Sequence, residues 1–385
     1  MKKEIPLFKV FMSEDIKNTI CDTLMSGFIG QGVKVQEFEK MLRDKFGVNY
    51  LTSVNSATSG LHLAIHLLKN PTTINNKKWC GLQDGDEILT SPLTCTATNM
   101  PIIANNLNIK WVDVDKKTLN MDLDDLRRKI TSKTKCIIGV HWGGYPLDLD
   151  ELKQIQTDTE NMYGFKPPII EDCAHAFGSK FNDNFIGTHG NICVFSFQAI
   201  KHFTTVDGGM IIFPNEDIYK RSKLLRWYGI DRESARVDFR CEQNITEYGF
   251  KFHMNDVNAT VGIANLPFSH EIVQKHKSNA NYYDKNLKDV NGITILERDS
   301  RMESAFWIYS LLVERKIDFM RHMKENGIMV SQVHERNDKH TCFSNFRSQL
   351  PSLDDIIPKL ISIPVGWWVT DEDRQYIVET IKKGW

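Results

Sequence analysis

Three short segments place chemically capable residues immediately after apolar runs. The first, Asn55-Ser56-Ala57-Thr58-Ser59-Gly60, continues the run LTSV. Small hydroxylated residues that open a helix present free N–H groups and hydroxyls, which suit a phosphate, although the same residues also make ordinary helix caps. The second, Glu171-Asp172-Cys173-Ala174-His175-Ala176-Phe177-Gly178, follows PPII. A carboxylate at the end of a buried strand is costly unless paired, so Asp172 points to a helix cap, a metal or a cation on a ligand. The third, Ser196-Phe197-Gln198-Ala199-Ile200-Lys201-His202, follows ICVF and leads into TTVDGGM (204–210). A lysine removed from water loses its proton readily and becomes a nucleophile toward carbonyls; a solvated loop lysine is the alternative reading.

The elements that must position these segments are legible from periodicity. Seven short apolar runs, LTSVN (51–55), DEILTSP (86–92), IKWVDVD (109–115), KCIIGVH (135–141), PPIIED (167–172), ICVFSF (192–197) and GGMIIF (208–213), punctuate the first half. Helical segments such as SATSGLHLAIHLL and LDDLRRKI lie between the earlier ones. This alternation predicts βαβ units and a mostly parallel sheet covered on both faces. The last two runs have no helix between them, which predicts an antiparallel excursion. From about residue 268 the pattern becomes a long amphipathic helix, short strands (GITILE, AFWIYSLLVE) and helices near 317–326 and 371–383. The expectation is an α/β protein with a large domain over 1–265, N-terminal segment included, and a smaller C-terminal α+β domain over 266–385. The polar stretch 69–86 reads as a surface loop.

Composition narrows the function classes. With 48 Lys+Arg against 49 Asp+Glu the 385-residue chain carries a formal charge of -1, without the basic excess of a nucleic-acid binder. No apolar run reaches membrane-spanning length, and the N-terminus has no signal-like apolar stretch; a cytoplasmic protein is expected. Eight cysteines without a C-x-x-C pair suggest neither a disulfide framework nor a zinc site, and most are expected to be buried. His62 and His66 lie four apart, but the intervening LAI lacks a metalloprotease glutamate, so no metal site is expected.

Together the three segments match the needs of pyridoxal phosphate: a Schiff-base lysine, a carboxylate for the ring nitrogen and a phosphate cup at a helix N-terminus. The chain resembles the DegT/DnrJ/EryC1/StrS family of nucleotide-sugar aminotransferases, pyridoxal-phosphate enzymes of fold type I. The resemblance runs through SGFIGQGVKVQEFEKMLRDKFGV (26–48), VNSATSGLHLAI (54–65), GDEILTSPLTCTATNMPII (85–103), IIEDCAHAFGS (169–179), FSFQAIKHFTTVDGGM (195–210), YGFKFHMNDVNATVG (248–262) and LISIPVGWWVTDED (360–373). It implies that Lys201 joins the cofactor covalently and moves a proton between substrate and cofactor. Asp172 then pairs with the ring nitrogen and His175 contacts the ring or its phenolic oxygen. Ser56, Ala57, Thr58 and Ser196 hold the phosphate. Lys251 or His253 reaches in from the neighbouring subunit, which makes a homodimer with shared active sites. Arg226 and Arg232 are candidates for a diphosphate or a donor carboxylate, or are solvated helix-end residues.

Two departures from the family pattern stand out. Cys95 occupies a position where many relatives carry an aromatic residue stacked on the cofactor, and Lys251 and His253 replace Asn and Arg. Lysine rather than histidine at 201 favours transamination over dehydration. The implied reaction moves an amino group from L-glutamate to a nucleotide-linked keto-deoxysugar, 4-keto-6-deoxy by preference, toward surface glycans. The alternatives are a dehydratase, a non-catalytic regulatory paralogue, or a desulfurase using a cysteine such as Cys342.

Overall fold

In a computed structural model of the chain, residues 4–385 are described apart from 75, 76, 236, 237, 239, 240 and 243. All seven apolar runs form strands of one sheet: β1 (Leu51–Val54), β2 (Glu87–Thr90), β3 (Asn108–Trp111), β4 (Thr134–Val140), β5 (Ile169–Asp172), β6 (Ile192–Ser196) and β7 (Gly209–Ile212). Their spatial order is β1-β7-β6-β5-β4-β2-β3. Only β7 runs against the rest, pairing antiparallel with β1 (Val54 opposite Gly209) and with β6 (Ser196 opposite Gly209). The other neighbours are parallel, as at Val140 opposite Asp172. The carboxyl ends of β1, β5 and β6 therefore share an edge with the amino end of β7, the edge where open α/β sheets bind ligands.

Burial on both faces explains why the strands read as continuous apolar runs. Ile138, Ile170, Val194 and Ile211 enter one core cluster, while their chain neighbours Ile137, Ile169, Phe195 and Met210 enter the other. Side chains of a strand alternate between faces, and helices cover each face here. Helix Ala57–Leu67 shows the local logic: Ser56 caps its start by accepting from Ser59 N at 3.1 Å, and Leu61, Ala64 and Ile65 bury its inner stripe.

A second sheet follows the long helix Ser269–Leu287: β8 (Ile293–Ile295), β9 (Tyr309–Val313) and β10 (Leu360–Ile363), all antiparallel in the order β8-β9-β10. It has its own core, with Tyr283, Leu311, Phe319, Ile361 and Ile377, joined by Ile5. The C-terminal half also reaches into the large sheet's core through Leu296, Trp307, Phe343 and Leu353.

Two expectations change. The stretch 69–86 contains a two-stranded ribbon, Thr72–Ile74 with Lys77–Trp79, rather than loop throughout. Trp79 and Leu82 are buried, with Trp79 Nε1 donating to Leu68 O at 2.7 Å; polar neighbours hid these two anchors in the sequence. Nor are most cysteines buried: Cys21, Cys80, Cys241 and Cys342 are exposed, because they fall outside the sheet strands that bury Cys136 and Cys193. Among the described residues no helix is long and apolar enough to cross a membrane.

Candidate active site

The three segments converge on one cavity of about 380 Å³. Its lining includes Ser56, Ala57, Thr58, Cys95, Asp172, His175, Ser196 and Lys201, eight of the ten expected site residues. Three larger clefts, about 760, 590 and 390 Å³, open elsewhere and gather none of these residues, so chemistry rather than size identifies the site.

Asp172 ends β5 and is buried; Thr98 Oγ1 donates to its Oδ2 at 2.6 Å and Ala174 N to its Oδ1 at 3.0 Å. Burial pushes this carboxyl above its ordinary range, with Thr98, Ala174 and the Lys201 charge opposing. A cation placed against Asp172 would remove that penalty. Lys201 follows β6, and burial draws its amine down to about 7, against the pull of Asp172 and Cys95. Its Nζ lies 3.5 Å from the centre of the Trp307 ring.

His175 is buried and accepts from Gly143 N at Nδ1 (3.3 Å), which leaves its proton on Nε2. Burial holds it well below the usual imidazole range, with Lys201 adding to the effect. Where Ser56, Ala57 and Thr58 line the cavity, the first N–H groups of helix Ala57–Leu67 have no carbonyl one turn earlier to bond. Gly208 and Gly209 let the backbone close in: a Cβ on Gly209 would lie 2.8 Å from Ala57 N. Ser196 Oγ accepts from Gln198 N at 3.3 Å.

These residues fit pyridoxal phosphate: a buried amine that loses its proton readily, a buried carboxylate that Thr98 and Ala174 only partly compensate, and a helix start rich in N–H groups face one space. Cys95 is the residue before helix Thr96–Ala104 and lines the cavity, so a small side chain stands at the expected stacking position.

Several expected residues lie elsewhere. Lys251 and His253 do not line the cavity of their own chain. Lys251 is exposed, its carbonyl accepting from Asn55 Nδ2 at 3.1 Å. His253 packs 3.5 Å from Trp227, and burial, with nearby Arg226, lowers it to about 4. Arg226 is neither solvated nor free for a ligand. It is 3% exposed and donates through Nη1 to Glu39 Oε1 (2.5 Å) and Ser53 O (2.7 Å). Breaking such a buried pair costs about 3–5 kcal/mol, so Arg226 is structural. Arg232 covers Trp227 at 4.0 Å and donates to Gln31 O. His62 and His66 both pack edge-on against Phe250, with ring centres 4.9 and 5.0 Å away. Elsewhere His141, Glu171 and Cys173 approach one another, but His141 Nε2 bonds Glu171 (2.8 Å) and its Nδ1 accepts from Leu147 N.

The cavity also holds residues with no local signal. Trp307 and His334 come from the C-terminal half, and among the described residues the buried His334 Nε2 has no hydrogen-bond partner. Residue Asn337 anchors this half to the start of helix Thr96–Ala104 and the loop before it: it accepts from Asn99 Nδ2 (2.9 Å) and donates to Thr94 O (2.8 Å). Thr98 itself had a faint signal, sitting one helical turn after Thr94 in TCTAT.

A model of the DegT/DnrJ/EryC1/StrS aminotransferase family matches residues 11–382. The solved structure of AtS13 from Actinomadura melliaura is 44% identical, with a TM-score of 0.94 and 99% of both chains covered. The sugar aminotransferase CalS13 from Micromonospora echinospora is 42% identical, with a TM-score of 0.93, covering 99% of this chain and 100% of that one. GDP-perosamine synthase from Escherichia coli O157:H7 is 27% identical over 386 residues, 99% of this chain and 98% of that protein.

Proposed function

We propose that this chain, which belongs to the DegT/DnrJ/EryC1/StrS aminotransferase family and is a pyridoxal-phosphate-dependent sugar aminotransferase, transfers the amino group of L-glutamate to a nucleotide-linked keto-deoxysugar, by preference a 4-keto-6-deoxy sugar. The observation that carries the reading is the meeting of Lys201 and Asp172 at one cavity with the N-terminus of helix Ala57–Leu67. The 4-keto preference and the glutamate donor rest on resemblance. The reaction belongs in the cytoplasm, and its product is an amino sugar for a surface glycan.

When bound, pyridoxal phosphate supplies an electron sink for substrate electrons. The chain's residues do the rest. Backbone N–H groups of Ala57 and Thr58, with the Thr58 and Ser196 hydroxyls, bind the phosphate, while Ser56 keeps the helix start rigid by capping it. Asp172, held by Thr98 and Ala174, keeps a proton on the ring nitrogen. Lys201 Nζ, largely unprotonated above pH 7, would be the nucleophile and would carry a proton between the substrate carbon and the cofactor. His175 Nε2–H is directed by the Gly143 bond as a hydrogen-bond donor beside the ring. The part over 1–265 carries the cofactor, and the part over 266–385 closes the site with Trp307 and His334.

A homodimer completes the site in this reading. Met25, Phe28 and Val33 are 85%, 83% and 71% exposed, an apolar surface suited to a second copy. Lys251, and His253 beside it, then approach the partner's phosphate cup. Mixed dimers test this: one subunit carries Lys201→Ala, the other Lys251→Met. If Lys251 serves the opposite site, one site per mixed dimer regains both lysines, and activity rises well above either parent variant. If it serves its own site, mixing rescues nothing.

The function itself is tested by visible absorbance. The yellow band of the cofactor-loaded protein should bleach with L-glutamate and return with the correct nucleotide keto-sugar. A band that L-glutamate leaves unchanged overturns the donor, and a panel of keto-sugars that never restores it overturns the acceptor class.

A further inference from the structure

The loop that carries Lys201 is tied on both sides to one turn of the C-terminal half. Trp307 Nε1–H donates to Ile200 O at 2.8 Å, and His202 Nε2 bonds Ala305 O at 3.0 Å. A carbonyl only accepts, so His202 carries its proton on Nε2. Residues before and after the lysine are thus each held by the segment 305–307. That segment has an unusual backbone: Phe306 adopts φ +50°, rare for a bulky side chain, and His276 Nδ1 bonds its carbonyl at 2.8 Å. The turn directs a 2%-exposed indole at the lysine, with Nζ 3.5 Å from the ring centre. The same ring stacks on His175 at 3.9 Å and 20°.

We propose that Trp307 is a positioning residue for Lys201: its indole face holds the lysine amine whenever that amine is not joined to the cofactor. Its Nε1–H, bonded to Ile200 O, keeps the loop in place during that interval. The catalytic consequence rests on Lys201 being the reacting amine, but the contact can be measured without cofactor or substrate. An aromatic face attracts an ammonium more than a neutral amine, so Trp307 acts with Asp172 and against burial in setting the lysine's titration. The other groups facing Lys201 are Cys95 at the start of helix Thr96–Ala104, His334, His175 and, next in the chain, His202. Burial keeps the three histidines below their ordinary range, His334 at about 4.

The test is the pH dependence of Lys201 reactivity in cofactor-free protein. Reductive methylation with isotope-labelled formaldehyde, read by peptide mass spectrometry, yields the midpoint. Trp307→Leu should lower that midpoint by roughly 0.5–1.5 units, the span of a cation–π interaction on the pKa scale. Trp307→Phe, which keeps a ring without the N–H, should fall between the two. An unmoved or raised midpoint in the leucine variant overturns the proposal, since a merely structural role would lower stability without this shift. Should that variant not fold, the unsubstituted chain labelled with 5-fluorotryptophan gives a second readout. The ¹⁹F resonance of Trp307, assigned by its loss in Trp307→Phe, should move at the Lys201 midpoint and stay still in Lys201→Met. A resonance that does not follow Lys201 also overturns the proposal. Failure of L-glutamate or keto-sugar turnover would leave both readouts standing, so the two readings fail separately.

Discussion

Lys201→Ala should lower turnover by roughly 10⁶-fold, the scale on which loss of a covalent nucleophile is felt in other enzymes. The variant should also lose the visible band of captured cofactor while keeping its fold, because among the described residues Lys201 makes no ion pair whose loss would destabilise the loop; retained turnover with sugar substrates would sink the assignment. In the parent protein the same amine sets a pH dependence. Burial lowers Lys201 to about 7, so below that pH it is protonated and cannot attack. Capture of pyridoxal phosphate by cofactor-free protein should therefore rise about tenfold per pH unit below 7 and level off above it. Stopped-flow absorbance between pH 5 and 9 checks this, and a profile that keeps climbing to pH 10 would mean the amine is solvated.

Asp172→Ala is expected to cost about 10²–10³-fold in kcat, the usual effect of removing one aimed electrostatic partner from a water-poor site. Asp172→Asn should behave similarly. Its amide oxygen can still accept from Ala174 N, but its NH₂ cannot accept the Thr98 hydroxyl and cannot balance a protonated ring nitrogen. KM for L-glutamate should change little, because Asp172 acts on the cofactor side rather than on the donor. Thr98→Val should give a smaller loss in the same direction, since a hydrogen bond to a charged group contributes about 1.5–3 kcal/mol. Steady-state kinetics on the three variants separates these outcomes. Equal losses for Thr98→Val and Asp172→Ala would mean that orientation, not charge, is what Asp172 supplies.

Much of this protein was legible in its residues because the signals are local. A strand buried on both faces must be apolar throughout, so the runs at 135–141 and 192–197 announced β4 and β6 directly. The absence of a helix between 197 and 208 announced the reversal at β7. Lys201, Asp172 and the helix start at 56–58 stood out because ligand chemistry in an α/β sheet sits at strand ends, a place the sequence marks, and the structure brings them to one cavity. The ribbon within 69–86 was missed because its anchor Trp79 lies among lysines and asparagines that read as loop.

What the sequence by itself determined was the set of strands and the three chemical groups placed at their ends. Only the tertiary structure decided which long-range side chains join them. Arg226 looked like a candidate for a ligand's negative charge, yet the fold turns it inward onto Glu39, at 187 residues' separation. Trp307 reaches the lysine loop across 107 residues, and Asn337 reaches Asn99 across 238. Periodicity and capping act over a turn or two of chain, whereas these contacts depend on tertiary packing: of helix Val33–Phe46 beside β1 for Arg226, and of the C-terminal half against the first sheet for Trp307 and Asn337. No short stretch of sequence encodes that packing.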